Sequence, residues 1–231
     1  MPSSVSLGAI QLLWQLHSRL EVLFKDSVEP VADADAPLLW ESCWTPLLAA
    51  LADGVADPRK EVMSRSFCTL LDCLNDQHTR VAPAVVVGAV VSESLIPCFS
   101  NLRLALQGQL SHANQGTGNV GVDNDGIEKL IITGLHCLSK LISDNMDRLS
   151  PHLLKILKAL LNFSQFMFIE DATTAASPIA QLVENIAFDT LTTTMVQCRQ
   201  LKLASHEEAV INVFEDISIS MAIVQRRLAH L

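Results

Sequence analysis

Residues 39 to 74 read Leu-Trp-Glu-Ser-Cys-Trp-Thr-Pro-Leu-Leu-Ala-Ala-Leu-Ala-Asp-Gly-Val-Ala-Asp-Pro-Arg-Lys-Glu-Val-Met-Ser-Arg-Ser-Phe-Cys-Thr-Leu-Leu-Asp-Cys-Leu. Trp40, Trp44, Leu47, Leu48 and Leu51 recur at the spacing of one face of a 3.6-residue helix. Gly54 is expected to end that helix, because glycine alone enters the left-handed region without steric cost. Asp57 is then placed to cap a second helix, with Pro58 in its first turn. Val62, Phe67, Leu70, Leu71 and Leu74 mark the inner face of that helix. The stretch therefore reads as two helices joined by a tight corner.

The flanks repeat the helical theme. Before the hairpin, residues 4 to 24 form an amphipathic helix with Ile10, Leu13, His17, Leu20 and Phe24 on one face and Leu16 and Leu23 beside it. His17 on that face reads as a hydrogen-bonded core histidine rather than a ligand. Only Glu21 stands at a helical neighbour position that could share a metal. Residues 25 to 36 form an acidic loop. After the hairpin, residues 79 to 99 could pass for a strand, being rich in valine. A helix is preferred because the neighbours are helical and no partner strand is evident. Pro97 is expected to kink or stop it.

Residues 107 to 125 are polar, Gly- and Asn-rich and aperiodic, and read as a flexible linker. It divides helical repeats over 1–106 from helical repeats over 126–231. In the second half Asp125 is expected to cap a helix whose apolar face holds Ile127, Leu130, Ile131, Gly134, Leu138, Leu141 and Ile142. Ser150-Pro151 and Ser177-Pro178 open the next two helices. The second of these turns Ile179, Leu182, Val183, Ile186 and Met195 inward. Ser205-His-Glu-Glu208 is a capping box before a last helix. Val210, Phe214, Ile217, Met221, Val224 and Leu228 form a heptad seam there, open to packing on the previous helix or to a coiled coil. Helix starts near 126, 150, 177 and 205 make units of about 50 residues when taken in pairs, near the length of HEAT and armadillo repeats. With the corner Asp57-Pro-Arg59, this suggests an all-α, HEAT/armadillo-like α-solenoid of about eight helices. An ordinary helical hairpin is the plainer reading of the corner.

Bulk composition bounds the function. The chain of 231 residues is 49% hydrophobic, has no tyrosine and carries a formal charge of −9. A nucleic-acid interface needs a basic face, and none is present in the sequence. The six cysteines include no C-x-x-C pair, so reduced core thiols are expected rather than disulfides or metal ligands. The N-terminal Met-Pro-Ser-Ser-Val-Ser lacks the basic region of a signal peptide. The most apolar run, Val81 to Val91, is too short to span a bilayer, and no transmembrane segment is expected.

No catalytic constellation survives inspection. Gly116-Thr-Gly-Asn-Val-Gly121 lacks the preceding strand that a dinucleotide site requires. Asp123-Asn-Asp125-Gly126 fails as a calcium loop, because Ile132 stands where the bidentate glutamate belongs. Asn162-Phe-Ser164 falls within an apolar helix. No catalytic, cofactor-binding or metal site is expected.

One resemblance adds to this reading. Leu-Trp-x-x-Cys-Trp-x-Pro-Leu-Leu at 39 to 48, followed by Asp-x-Arg-x-x-Val at 57 to 62, resembles the helical region downstream of the Sec7 domain in large Golgi-type Arf guanine-nucleotide exchange factors, of the Gea and GNOM class. Trp40, Trp44, Pro46, Leu47, Leu48, Asp57, Arg59 and Val62 carry it. Weaker likenesses lie at 5 to 19, 95 to 99, 135 to 154 and 182 to 191. The family continues Val-Arg where this chain has Val62-Met63. The resemblance implies a cytoplasmic segment peripheral to Golgi membranes that supports recruitment and regulation of the exchange factor. It implies protein partners of the Arf pathway, such as Golgi small GTPases, and membrane lipids. The family's catalytic loop, Phe-Arg-Leu-Pro-Gly-Glu-like, has no counterpart here, so the segment is not expected to be an enzyme. Trp40, Trp44, Pro46, Asp57, Arg59, Val62 and Arg65 are the candidate structural and interaction residues, with the corner Asp57 to Arg65 and the exposed positions of Val81 to Val91 as contact surface. A generic HEAT-like adaptor or tether unrelated to Arf, and a small helical enzyme with a closed polar pocket, are the alternatives.

Overall fold

A computed structural model describes residues 3–26, 40–76, 82–114, 124–149, 152–153 and 155–159, and separate positions between 182 and 196. Every regular element among the described residues is helical. The protein is all-α over that range. The last predicted helix, the glycine-rich 116–121 stretch, Asn162-Phe-Ser164 and Cys198 lie outside the described residues.

The elements are α1 (Ser3–Asp26), a π-helical turn at Trp40–Trp44, α2 (Thr45–Val55), α3 (Lys60–Asn75) and α4 (Ala84–Val90). A second π-helical turn at Val91–Leu95 leads directly into α5 (Ile96–Asn114), followed by α6 (Asn124–Asp144) and α7 (Met146–Leu149). The chain divides into two compact units, Met1–Cys137 and Leu138–Leu231. The boundary falls inside α6, and α5 carries its helix through Asn114 into the polar run that begins at 107.

In the first unit α2 is central. It packs against α3 on one side and against α4, the second π turn and α5 on another, while α1 lies along α3 and touches α2. The hairpin's inner residues are buried as the periodicity predicts: Trp40, Trp44, Leu47, Leu48 and Leu51, and Val62, Phe67, Leu70, Leu71 and Leu74. Gly134 of α6 completes this core. A Cβ there would stand 2.6 Å from Phe67 Cζ and 2.9 Å from Phe99 Cε1, so the two rings use the space left by hydrogen. Those rings meet edge to face at 6.0 Å. Asn75 Nδ2 donates to Cys137 Sγ at 3.2 Å, fastening the end of α3 to α6.

Gly54 does not end its helix by turning left-handed; it lies inside α2. Its function is close approach, since a Cβ at this position would stand 2.9 Å from Ser66 Cβ and nearer still to its Oγ. Asp57 does not cap α3 either. The capping position belongs to Arg59, whose backbone is extended at φ −81° and ψ 112°. Asp57 Oδ1 instead accepts the backbone N–H of Arg59 at 2.9 Å, an aspartate turn that competes with the capping geometry.

Pro97 neither stops nor visibly breaks its helix. Proline lacks an N–H, and its ring clashes with the carbonyl four residues back. The π turn at Val91–Leu95 ends one residue before Ile96-Pro97, and Ile96 N–H donates to the Val91 carbonyl five residues back. This wider ladder lets the chain pass proline without losing direction. The valine-rich run is helical, and the continuous stretch Val85–Gln107 is long and apolar enough to cross a membrane by length and composition. Val87, Val90, Val91, Leu95 and Leu102 are fully buried within the first unit, so this is a core helix of that unit.

The face of α1 turned to the core is that of Ile10 and His17, as the periodicity predicts, and Leu16 beside it is exposed. One smaller reading changes. Asp125 stands inside the first turn of α6, which begins at Asn124.

The apolar face predicted for α6 continues through the buried Leu138, Leu141 and Ile142. Beyond α6, Leu149, Leu153, Ile156 and Leu157 are buried, as is Asn145, whose Nδ2 donates to the Leu141 carbonyl at 3.1 Å. Thr190 and Thr194 are buried and satisfy their hydroxyls by donating to the carbonyls of Ile186 and Thr190. Ile186 is buried as predicted, whereas Leu182 faces outward.

Candidate functional site

The candidate residues separate into a buried group and an exposed group. Trp40 and Trp44 lie four apart on the first π turn and meet edge to face at 5.4 Å and 85°. Both are buried, Trp44 completely. The indole N–H of Trp44 has no hydrogen-bond partner among the described residues, so this side chain contributes shape and apolar area rather than a polar contact. Pro46 is exposed at the start of α2. Val62 is buried against the hairpin core. Met63 is buried as well. The position at which the resembled family carries arginine therefore faces the interior here.

The corner is built on one ion pair. Asp57 Oδ1 accepts from Arg59 Nε at 2.8 Å and Asp57 Oδ2 accepts from Arg59 Nη2 at 2.6 Å, a two-point contact between carboxylate and guanidinium. Arg59 Nη2 also donates to Ser6 Oγ of α1 at 2.9 Å. The hydrogen bonds from Arg59, side chain first and then backbone N–H, hold the Asp57 carboxyl at about 2 against an ordinary value of 3.8. The same contact raises Arg59. Arg59 thus ties the α2–α3 corner to the first helix. The carboxylate that Arg59 uses is the one two residues back.

Arg65 belongs to a different surface. With Glu61, Cys68 and Asp72 it forms the exposed stripe of α3, at i, i+4, i+7 and i+11. Desolvation pushes the Cys68 thiol up, with Asp72 adding to the effect. Of the run 81–91, Val85 is exposed, while Ala82, Val86, Val87, Val90 and Val91 are buried, so the run is chiefly packing.

His17 is buried, with its ring stacked on Trp14 at 5.7 Å. Its Nε2 lies 3.4 Å from Asp76 Oδ2, just past the end of α3. The partner comes from another helix, which is why no neighbour in sequence pointed to it. Cys73 and Cys98 are buried thiols pushed up to about 12, chiefly by desolvation. No cluster of metal-ligating side chains occurs among the described residues.

A repeated pattern unites these residues, and the periodicity reading passed over it. Trp40-x-x-x-Trp44-x-Pro46-x-Leu48-x-x-Leu51 recurs as Val91-x-x-x-Leu95-x-Pro97-x-Phe99-x-x-Leu102, 51 positions later. It recurs again as Asn145-x-x-x-Leu149-x-Pro151-x-Leu153-x-x-Ile156, a further 54 positions on. Every residue written here other than the prolines is buried. The first two copies share the π turn and the proline two residues beyond its end. Aligning the chain on its prolines would have found this signal.

Compared with known proteins, the chain matches no family model, no curated protein and no solved structure.

Proposed function

We propose that the chain is a non-catalytic α-solenoid scaffold. The observation that carries this reading is the proline-centred unit and its two recurrences at 51 and 54 positions, with the same four buried positions around the proline each time. A recurring unit of this length, made of a helix with a proline near its start and then a second helix, is what a stacked two-helix repeat requires. Such a stack presents long faces rather than a pocket, and its chemistry is recognition. The exposed stripe Glu61, Arg65, Cys68 and Asp72 supplies a charged face of that kind.

On the resemblance at 39 to 48 and 57 to 62, we assign this scaffold to the helical region of a large Golgi-type Arf exchange factor. Its role there is to support peripheral Golgi recruitment and to regulate Arf activation through partners of the Arf pathway and membrane lipids. A tagged copy of the chain is expected to concentrate on Golgi membranes in cells and to retain an Arf-pathway GTPase in affinity capture. Its addition to nucleotide-loaded Arf is expected to leave the release rate unchanged. A uniformly dispersed chain that captures no such GTPase would reduce the reading to a helical adaptor unrelated to Arf.

A further inference from the structure

The outer face of α1 is apolar and exposed although the rest of that helix is docked. Val5, Leu12 and Leu16 are 54%, 61% and 57% exposed, and Ala9 between them is exposed too. The spacing of 5, 9, 12 and 16 is four, three, four, the a/d seam of a coiled coil. Ile10 and His17 hold the opposite side of the helix against the first unit. Space beside the seam is open: a Cβ built on Gly8 would meet nothing within 4 Å.

The charge on this face is as informative as its apolarity. From Ser3 to Ser18 the helix holds no Asp, Glu, Lys or Arg, in a chain whose formal charge is −9. The exposed flanks of the seam are Ser4, Gln11, Gln15 and Ser18. A membrane-surface helix would carry basic flanks, whereas among the described residues this seam is bordered by a single charge, the exposed Arg19 just past Leu16, too little to recruit a charged partner helix. The seam is, however, complementary to itself when reversed. In an antiparallel pair with its two-fold axis between positions 10 and 11, Leu12 of one copy faces Ala9 of the other, and Leu16 faces Val5. Every layer then sets a larger residue against a smaller one, with a against d as antiparallel pairing requires.

We infer that α1 pairs with α1 of a second copy of this chain, antiparallel, through Val5, Ala9, Leu12 and Leu16. The neutral face is the part of a strongly acidic chain where two copies meet without like-charge repulsion. A single helix pair covers less than the roughly 800 Å² per partner of a standard stable interface, so the dimer is weak and concentration-dependent.

Sedimentation of the intact chain over a range of concentrations tests this. The weight-average mass is expected to rise from 25.2 kDa toward twice that value. Leu12→Glu is expected to hold the mass at 25.2 kDa at every concentration, with unchanged helical circular dichroism because Leu12 is exposed. Ala9→Leu alone sets two leucines in one layer and is expected to weaken association at least tenfold. Ala9→Leu combined with Leu12→Ala reverses the large–small order and is expected to restore it. A wild-type chain that stays at monomer mass up to millimolar concentration overturns the inference. So does a Leu12→Glu variant that associates as well as wild type, which would move the interface to another surface such as the heptad seam at 210–228.

Discussion

Trp40–Val55 and Val91–Leu106 solve the same backbone problem with different side chains. In each a π turn precedes a proline, and the next helix buries the first, second and fifth positions after that proline: Leu47, Leu48 and Leu51 in one, Cys98, Phe99 and Leu102 in the other. The first segment fills the turn with two tryptophans in contact. The second uses Val91 and Leu95. The difference shows that the turn needs buried apolar mass at two positions four apart and does not need an aromatic pair. The tryptophans therefore read as packing. Specificity in the first segment comes from the corner beyond α2, where Arg59 is shared between Asp57 and Ser6. The second segment has no such corner, because α5 runs on to Asn114.

Truncation at the equivalent positions tests this equivalence most severely. Trp44→Ala is expected to cost about 3–5 kcal/mol and Leu95→Ala about 2–5 kcal/mol, read from urea unfolding monitored by circular dichroism. Trp44→Phe keeps most of the ring and removes an N–H that has no partner among the described residues, so its loss should fall well below that of alanine. If Trp44→Phe were as damaging as Trp44→Ala, an indole contact would be at work and the two turns would not be equivalent.

Gly134→Ala comes next. The added methyl meets Phe67 from the first helical hairpin and Phe99 from the second segment, so both regions feel it. Overpacking of this kind costs about 1–3 kcal/mol. Gly8→Ala is its control, since nothing crowds that position, and it should stabilise the chain by about 0.5–1 kcal/mol through helix propensity alone. Thermal melts of the two variants should shift in opposite directions.

The corner is tested by pH. The Asp57 carboxyl is held below its ordinary value, so its contribution is present above about pH 4 and is lost as pH falls toward 2. Asp57→Asn is expected to flatten the dependence of stability on pH in that window and to leave it unchanged near neutrality. A wild-type slope that persists in the variant would place the acid sensitivity elsewhere.

The smallest expected effect concerns thiols and leaves stability untouched. Cys43 lies on the outside of the first turn and Cys98 on the inside of the second segment, with its thiol pushed up to about 12. Iodoacetamide at mild alkaline pH should modify Cys43 while Cys98 stays protected until the chain unfolds. Peptide mapping by mass spectrometry distinguishes them.

The tryptophan hairpin and α6 were legible in advance because their apolar residues keep to the helical period without interruption. All seven residues assigned to the inner face of α6 are buried. The candidate corner was legible as a place and misread in detail. Asp57 satisfies a backbone N–H two residues on, and local propensity does not distinguish that from a helix cap. Leu16 was harder still. It lies on a second apolar stripe of α1 with Val5 and Leu12, beside the buried one, and only the position of α3 shows that this stripe faces out.

By itself the sequence determined that this protein is helical, that the hairpin at 39 to 74 has a buried face, and that the charge balance is acidic. Those come from periodicity, from side-chain polarity and from counting charge, all of which are local. Only the tertiary structure decided the remainder. It showed Gly54 and Gly134 to be contact points between helices and Asp76 to stand beside His17. It carried the valine run past Pro97 and left Val5, Leu12 and Leu16 uncovered. Each of these depends on which distant segment arrives beside a residue, and the pattern along one helix does not record its neighbours.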